Sequence, residues 1–410
     1  MKNFALFLSS LLLISNPTAF AADNLQEAFE QGTLKGELRG YYFERNFDKS
    51  DKRADLAAGT LFYYNTAAVN GLSAGAAFAS ANDIGSNDSH QVYGLVQGYG
   101  TKKHQSFSRL QEYYVQGDWF DTRIKFGAQE INTPFMSGHD IRLLPKTYRG
   151  LSVVNNSVEN LELSAYYITA FEGWWDDQFT SMISVDGKEV NRDLVAGGAK
   201  YQLPVDVANV QLQGWIYHMD DVFDTGFFKV HAAKDVGDYQ LFFAPSVLFQ
   251  KSIGKELGGR EFDTYQYGFN TGFKAHGFHI TAFYAKTGND ELYVPWGDEK
   301  VIIQQINAAG RADETAYALR VAYDFSQIGI KGLNAYIFHA YYDTDRLQYS
   351  TQQAKDVNET DLSVQYDFSG ALDGFSVRLR YAFIDAEKGE NFDDFRVYLR
   401  YRFTLGGNRG

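Results

Sequence analysis

Within SGHDIRLLPKTYRG, residues 137–150, three cations fall within eight positions, Arg142, Lys146 and Arg149, close to the carboxylate of Asp140 and the phenol of Tyr148. A guanidinium offers a flat, two-pronged fit to a carboxylate. Held in a narrow, water-poor opening, it attracts an anion far more strongly than it would in bulk water. The chemistry available to this stretch is reversible anion recognition. A second set stands near the C-terminus: Arg378 and Arg380 in FSVRLRYAF, and Arg396 and Arg400 in DDFRVYLRYRF. Two roles are open to these four, a track for a passing anion or a wall neutralised by Asp361, Asp367, Glu37 or Glu44. Arg402, the next in the row, reads as a rim residue.

Bond-breaking chemistry finds little support. His104-Gln105-Ser106 resembles the His-x-Ser pair of the outer-membrane phospholipase, but it sits in a long loop and reads as a chance match. A nucleophilic serine needs a base in reach and a third group to orient that base. No P-loop, G-x-S-x-G elbow or H-E-x-x-H is present. The eight histidines are dispersed, and the loop NDELYVPWGDEK lacks EF-hand spacing, so no metal site and no cofactor are expected.

The elements that carry these residues alternate with a period of two. In GFSVRLRYAFIDA, Phe375, Val377, Leu379, Tyr381 and Phe383 share one face, and Ser376, Arg378, Arg380 and Ala382 the other. Phe395, Val397, Leu399, Tyr401 and Phe403 repeat the pattern opposite Arg396, Tyr398, Arg400 and Arg402. Similar segments recur along the chain, and with a weak one near 151–155 they total about 18, an even number as bacterial barrels require. Pro245, inside YQLFFAPSVLFQ, implies a bulge or bend. Connections alternate between short turns (120–121, 203–209, 235–238, 276–277, SQIGIKG and SGALDG) and long acidic loops (82–108, 130–150, 172–193, 287–313, 343–358 and 385–394). This is the pattern of short periplasmic turns and long outer loops.

Composition agrees. The chain has 28 Tyr, 33 Phe and 38 Gly but only 6 Pro, with a mean hydropathy of −0.34. A transmembrane barrel combines an apolar lipid face and aromatic girdles with a polar lumen, which lowers average hydropathy. Residues 1–21 read as a secretory signal peptide, with an apolar stretch too short to span a membrane. No cysteine is present, so no disulfide holds the exported chain. Acidic residues outnumber Lys and Arg by 51 to 38, which excludes a nucleic-acid partner and reads mostly as solvated outer loops. Length excludes a plugged transporter of about 22 strands.

The expected architecture is an all-β, transmembrane antiparallel β-barrel spanning 22–410 as one domain. A barrel this wide must be narrowed to be selective, and the segment at about 130–150 is the candidate inward loop, with Ile141, Leu143 and Leu144 able to pack on the wall. DIRLLPKTYRG resembles the third-loop motif of the outer-membrane porin D (OprD) family of substrate-specific channels. The likeness continues in EAFEQGTLKGELRGYYFERNF, GLSAGAAF and FSVRLRYAF. It implies an 18-stranded barrel, a narrow eyelet of inward-folded loops and a row of lumen cations guiding carboxylate-bearing solutes. Residue by residue, the eyelet match is Asp140, Arg142, Leu143, Leu144, Pro145, Thr147, Tyr148 and Gly150, and the basic row Arg378, Arg380, Arg396 and Arg400. One departure is TLGGNRG, which follows Phe403 where such barrels end on an aromatic residue.

The function expected is passive, substrate-selective conduction across a bacterial outer membrane. The alternatives are a general diffusion porin with weak or cation selectivity, and a non-conducting structural or adhesive barrel. Expected partners are small-molecule solutes, outer-membrane lipid and lipopolysaccharide, and the barrel-assembly machinery. Monomer and trimer both remain open, as do the solute's identity and the placement of the loop at 287–313.

Overall fold

The computed structural model describes residues 22–86, 90–92, 94–98, 104–297, 299–349 and 355–406; the expected signal peptide lies outside them. A short helix, α1 (Leu25–Glu30), precedes β1 (Thr33–Phe47), β2 (Arg53–Asn65), β3 (Leu72–Asp83), β4 (Phe107–Trp119), β5 (Thr122–Gln129), β6 (Thr147–Val158) and β7 (Leu161–Glu172). A small hairpin, β8 (Ile183–Val185) with β9 (Lys188–Val190), stands in the next connection. The wall resumes with β10 (Leu194–Leu203), β11 (Asn209–Met219), β12 (Phe223–Val236), β13 (Tyr239–Ser252), β14 (Asp263–Ala275) and β15 (Phe278–Thr287). It ends with β16 (Thr315–Asp324), β17 (Leu333–Asp343), β18 (Val357–Asp367), β19 (Phe375–Ala386) and β20 (Phe392–Gly406).

Leaving the hairpin aside, 18 strands form one sheet. Each pairs antiparallel with its neighbour in sequence, and β20 returns to β1 in a register from Thr33↔Gly406 to Phe47↔Phe392. Closure leaves no unpaired edge, the condition for a sheet to cross lipid. The alternation is inside-out. Leu379, Phe383, Leu399 and Tyr401 are 40–46% exposed on the outer face, while Arg396, on the lumen side, is fully buried.

Several expectations need correction. β13 runs through Pro245 without a bulge. The ladder to β12 lapses between Lys229↔Ser246 and Ala232↔Phe243 but keeps its register, so the missing N–H is absorbed by a local gap. The long-loop rule covers only part of the outer side, since the connections at 48–52 and 220–222 are short, and the one expected at 385–394 shrinks to 387–391. β20 continues past Phe403, with Thr404 and Leu405 paired to Lys35 and Leu34. The similar turns SQIGIKG and SGALDG each contain a 3-10 turn, Phe325–Ile328 and Gly370–Leu372. Each ends on a left-handed glycine, Gly332 (φ 84°) and Gly374 (φ 87°), where a Cβ would lie 2.2 Å from a carbonyl of the next strand. Shared turn chemistry therefore accounts for the likeness of these two turns.

The third outer connection is shorter than the sequence suggests. β6 begins at Thr147, so the loop is 130–146, and Thr147, Tyr148, Arg149 and Gly150 belong to the wall. Buried apolar clusters tie loops to the inner surface. Leu143 and Leu144 pack with Tyr41, Phe43, Ala57 and Leu61, and Gly59 leaves the space that Leu143 occupies. Phe135 and Met136 join Tyr148, Tyr217 and Trp296 in a second cluster. Ile302 and Ala309 join Ala316, Phe338 and Tyr342 in a third. Each large side chain fully buried in this way contributes roughly 1.5–3 kcal/mol toward holding the loop segment that bears it.

Candidate pore constriction

Two loops meet inside the barrel. From β6, the Tyr148 hydroxyl lies 2.9 Å from both the Ser137 and the Trp296 carbonyls and shares its one proton between them, so one wall residue fastens 130–146 to 288–314. Lys146 Nζ reaches the same Trp296 carbonyl at 3.4 Å, and the Trp296 indole donates to the Met182 carbonyl at 2.7 Å. The tip of the second loop is held by wall carboxylates. Glu359 accepts from the backbone of Ile306 and Asn307, each at 2.8 Å, and Asp361 accepts from Gln305 N–H at 2.9 Å. The Gln305 amide spans to Asp394 Oδ1 at 2.7 Å. The loop at 287–313, left open by the sequence, therefore lines the lumen together with the first.

Opposite these latches the wall carries a column of arginines. On β20 the inward positions descend from Asp394 through Arg396, Tyr398 and Arg400 to Arg402. Arg380 faces Arg396 across the ladder, and Arg39 on β1 faces Arg400. Like charges so placed repel unless anions intervene. Asp140 supplies one such anion. Arg39 donates to both of its oxygens, at 2.5 and 3.0 Å, and Arg400 to Oδ2 at 3.2 Å. Burial opposes charge on Asp140, but the Arg39 and Arg400 guanidiniums overcome it and hold the carboxyl below the usual carboxylate range. Glu37 adds contacts to Arg39 at 2.9 Å, Arg402 at 3.2 Å and Arg400 at 3.6 Å.

Higher in the column the neutralisation is less complete. Arg380 lies 3.5 Å from Asp361, and Arg396 Nε donates to Asp394 at 2.5 Å while its guanidinium rests over the Phe43 ring. Among the described residues, Arg396 Nη1 and Nη2 and Arg380 Nε are buried without a well-formed hydrogen bond, with the Tyr398 hydroxyl close to both guanidiniums. Arg378 donates to Ser363 Oγ at 3.1 Å and reaches the Tyr336 hydroxyl at 3.3 Å. Arg320, on β16, lies over the same Tyr336 ring, with its Cζ 4.3 Å from the centroid.

The loop cations occupy other places than the sequence suggests. Arg142 is 8% exposed and sandwiched between Phe43 and Trp174; Lys146 is 7% exposed and lies 4.4 Å from the Trp174 ring centroid. Both are packed into the roots of the loop. Arg149 points outward. Its neighbour Tyr148 is turned to the lumen loops, side chains alternate along a strand, and Arg149 is exposed beside the Phe179 ring. Of the acidic partners foreseen, Asp361 and Glu37 meet arginines of the column, whereas Glu44 bonds Lys52 and Tyr42 on the outer face. Asp367 accepts from Gln365.

Arg39, Arg109 and Arg320 were missed. The alternation Glu37, Arg39, Tyr41 in KGELRGYYFER carries the signal for Arg39, since it places that residue on a charged face. Arg109 is fixed through Glu172 at 3.2 Å and the Pro145 carbonyl at 2.6 Å, a contact across 36 residues with no local signature. Elsewhere, His104 Nε2 lies 2.6 Å from Asp55, and Ser106 Oγ accepts from the Asp83 N–H.

The chain matches the family model described as outer membrane porin, OprD family, over residues 26–405. No curated protein sequence matches it. Among solved structures it is similar to OpdK of Pseudomonas aeruginosa with vanillate, at 20% identity, covering 92% of this chain and 100% of that one, with a TM-score of 0.81. It is also similar to OccAB3 of Acinetobacter baumannii, at 17% identity over 91% and 99% of the two chains, TM-score 0.80. A BenF-like porin from Pseudomonas fluorescens Pf-5 matches at 16% identity over 92% and 100%, TM-score 0.83. With its 18 strands closed in a ring and its loops drawn into the lumen, the chain belongs to the OprD family of outer-membrane porins.

Proposed function

We propose that this porin passes small carboxylate-bearing solutes down their concentration gradient, with the arginine column as the guiding surface. The observation that supports this reading is the arginine column itself: Arg378, Arg380 and Arg400 are partly exposed on the lumen face, and the fully buried Arg396 adds its charge from behind them. A carboxylate is drawn by that charge and can accept charge-assisted hydrogen bonds from the exposed guanidiniums. The column changes character along its length. Near the outer end Arg380 meets Asp361 only at 3.5 Å, whereas Arg400 and Arg39 share Asp140 more closely. An anion would therefore bind, then meet a competing carboxylate that speeds release. Conduction needs binding strong enough to enter and weak enough to leave.

The assignment of the eyelet shifts accordingly. Asp140 and Tyr148 belong to the constriction as fasteners, Arg142, Lys146 and the buried Arg396 add their charge from within the packed wall and loop, and Arg378, Arg380 and Arg400 meet the solute. The test is a planar bilayer with a salt gradient, reading conductance and reversal potential together while benzoate or succinate is added. Anion preference with block by the organic acid is the expected result. Cation preference without block would return the chain to the general-porin reading.

A further inference from the structure

The N-terminal helix α1 presents three distinct sides. Residues follow one another at about 100° around a helix, so Leu25 and Phe29 share a sector, Ala28 lies beside it, and Gln26, Glu27 and Glu30 fill the rest. Ala28 is 3% exposed, and its carbonyl accepts from Ala67 N–H at 2.9 Å, which ties the helix to the turn between β2 and β3. The polar sector satisfies itself: Gln26 donates to Glu30 at 2.8 Å, and Asn24 caps the helix by accepting from Glu27 N–H at 3.0 Å. The third sector is uncovered. Leu25 is 74% exposed and Phe29 60%.

The uncovered sector lies on the outside of the wall. Tyr63 sends its hydroxyl to Glu130 in the lumen, so Tyr64, one residue on, stands on the outer face. The Phe29 ring stacks on Tyr64, with centroids 6.4 Å apart and planes 8° apart, and the Tyr64 hydroxyl donates to the Phe29 carbonyl. Tyr64 continues into Phe62, which meets Phe403 at 6.3 Å on the same face. Trp119 reaches this rim from β4, 41% exposed, with its indole fixed on the Asn70 carbonyl at 2.9 Å. Aromatic residues in such a band sit at the boundary of a membrane and water.

We infer that α1 is an interfacial anchor: it extends the periplasmic aromatic girdle and seats Leu25 and Phe29 in the inner leaflet of the outer membrane, with its acidic side toward the periplasm. A helix lying in an interface needs one apolar and one polar face, and α1 supplies both in under two turns. Continuity with the girdle selects phospholipid over other occupants, because the exposed pair lies at the level where Tyr64 and Trp119 already meet it.

The chain has no cysteine, so single labels can be placed cleanly. Leu25→Cys and Gln26→Cys, each carrying a nitroxide, are reconstituted in phosphatidylethanolamine–phosphatidylglycerol vesicles, with folding verified by heat-modifiable gel mobility. Leu25 touches little, so this substitution leaves the helix intact; Phe29→Cys is a second reporter. The ratio of oxygen to water-soluble nickel-chelate collision rates is expected to be several-fold higher at 25 and 29 than at 26. Equal ratios at all three sites would overturn the anchor. So would spin–spin broadening at 25 that vanishes on dilution with unlabelled protein, which would assign the face to a second copy.

Discussion

Arg39 and Arg400 stand directly opposite one another across the strand pair that closes the barrel, and the carboxylate of Asp140 lies against both. The closing seam is also the place where the inward loop is pinned. Two like charges on adjacent strands destabilise a ladder. The loop supplies the counter-charge that makes this pairing tolerable, so closure and narrowing are coupled through one side chain.

Asp140→Asn keeps the shape and removes the charge. Breaking a buried pair costs about 3–5 kcal/mol, and since the Asp140 side chain is 31% exposed to the lumen, about 1–3 kcal/mol is the reasonable range here. The variant is expected to lose its heat-resistant gel mobility at a lower temperature. It should also show noisier single-channel current and stronger anion preference, because a fixed negative charge has left the pore. Unchanged current noise and selectivity would sink the clamp.

Acidity acts on two loop carboxyls in opposite directions. Asp140 is held below the usual range, so its contribution is present above the unfolded pKa and disappears as pH falls through the lowered folded value. Burial pushes Glu130 up, helped by Glu112; the other groups acting on it are the Tyr63 hydroxyl, Asp140 and Arg39. A raised carboxyl stabilises nothing when ionised, so its effect is a loss of stability as pH climbs above the ordinary carboxylate range. Melting curves from acid to mildly alkaline pH are expected to show Glu130→Gln flattening the decline between the ordinary carboxylate range and about pH 8, and Asp140→Asn flattening the loss at acid pH. If each variant keeps the parent's full pH profile, neither carboxyl is the source.

The strands were legible because lipid and water demand opposite faces, which writes a period of two into Phe375–Ala382 and Phe395–Phe403 without reference to any distant residue. The same logic reached the arginines on β19 and β20. It failed at residues 147–150, where DIRLLPKTYRG has no alternation until Tyr148 and Arg149 are already in the wall. The contacts that set the constriction were invisible for a different reason. Arg39 with Asp140 spans 101 positions and Gln305 with Asp394 spans 89, and no local pattern encodes which wall residue a loop tip will meet.

The orientation of Arg149 separates it from the cations of the column. Arg149→Ala should leave reversal potential unchanged, since the side chain stands on the outer surface. Arg380→Gln with Arg396→Gln should lower anion preference and weaken block by benzoate by roughly tenfold, the effect of about 1.4 kcal/mol lost from a charge-assisted contact. Bilayer recordings of the two variants side by side decide it, and a selectivity loss in Arg149→Ala equal to that of the double variant would count against the column.

The latch on the second loop offers the last and sharpest test. Glu359 takes three donors from 306–307, the two backbone N–H groups and the Asn307 amide at 2.7 Å, and it is fully buried. Glu359→Gln puts an N–H₂ group where those donors converge, so one of the contacts must turn repulsive. The other half of the loop is held separately by Trp296, through its indole on Met182 and its carbonyl on Tyr148. Only the tip should therefore come free. The expected outcome is a larger, more variable conductance with anion preference retained, because Arg380 and Arg396 are untouched. Gln305→Ala, which removes the bridge to Asp394, should shift conductance the same way by a smaller amount. If both variants conduct like the parent, the 304–307 tip does not set the aperture, and the narrowing belongs to residues 130–146 alone.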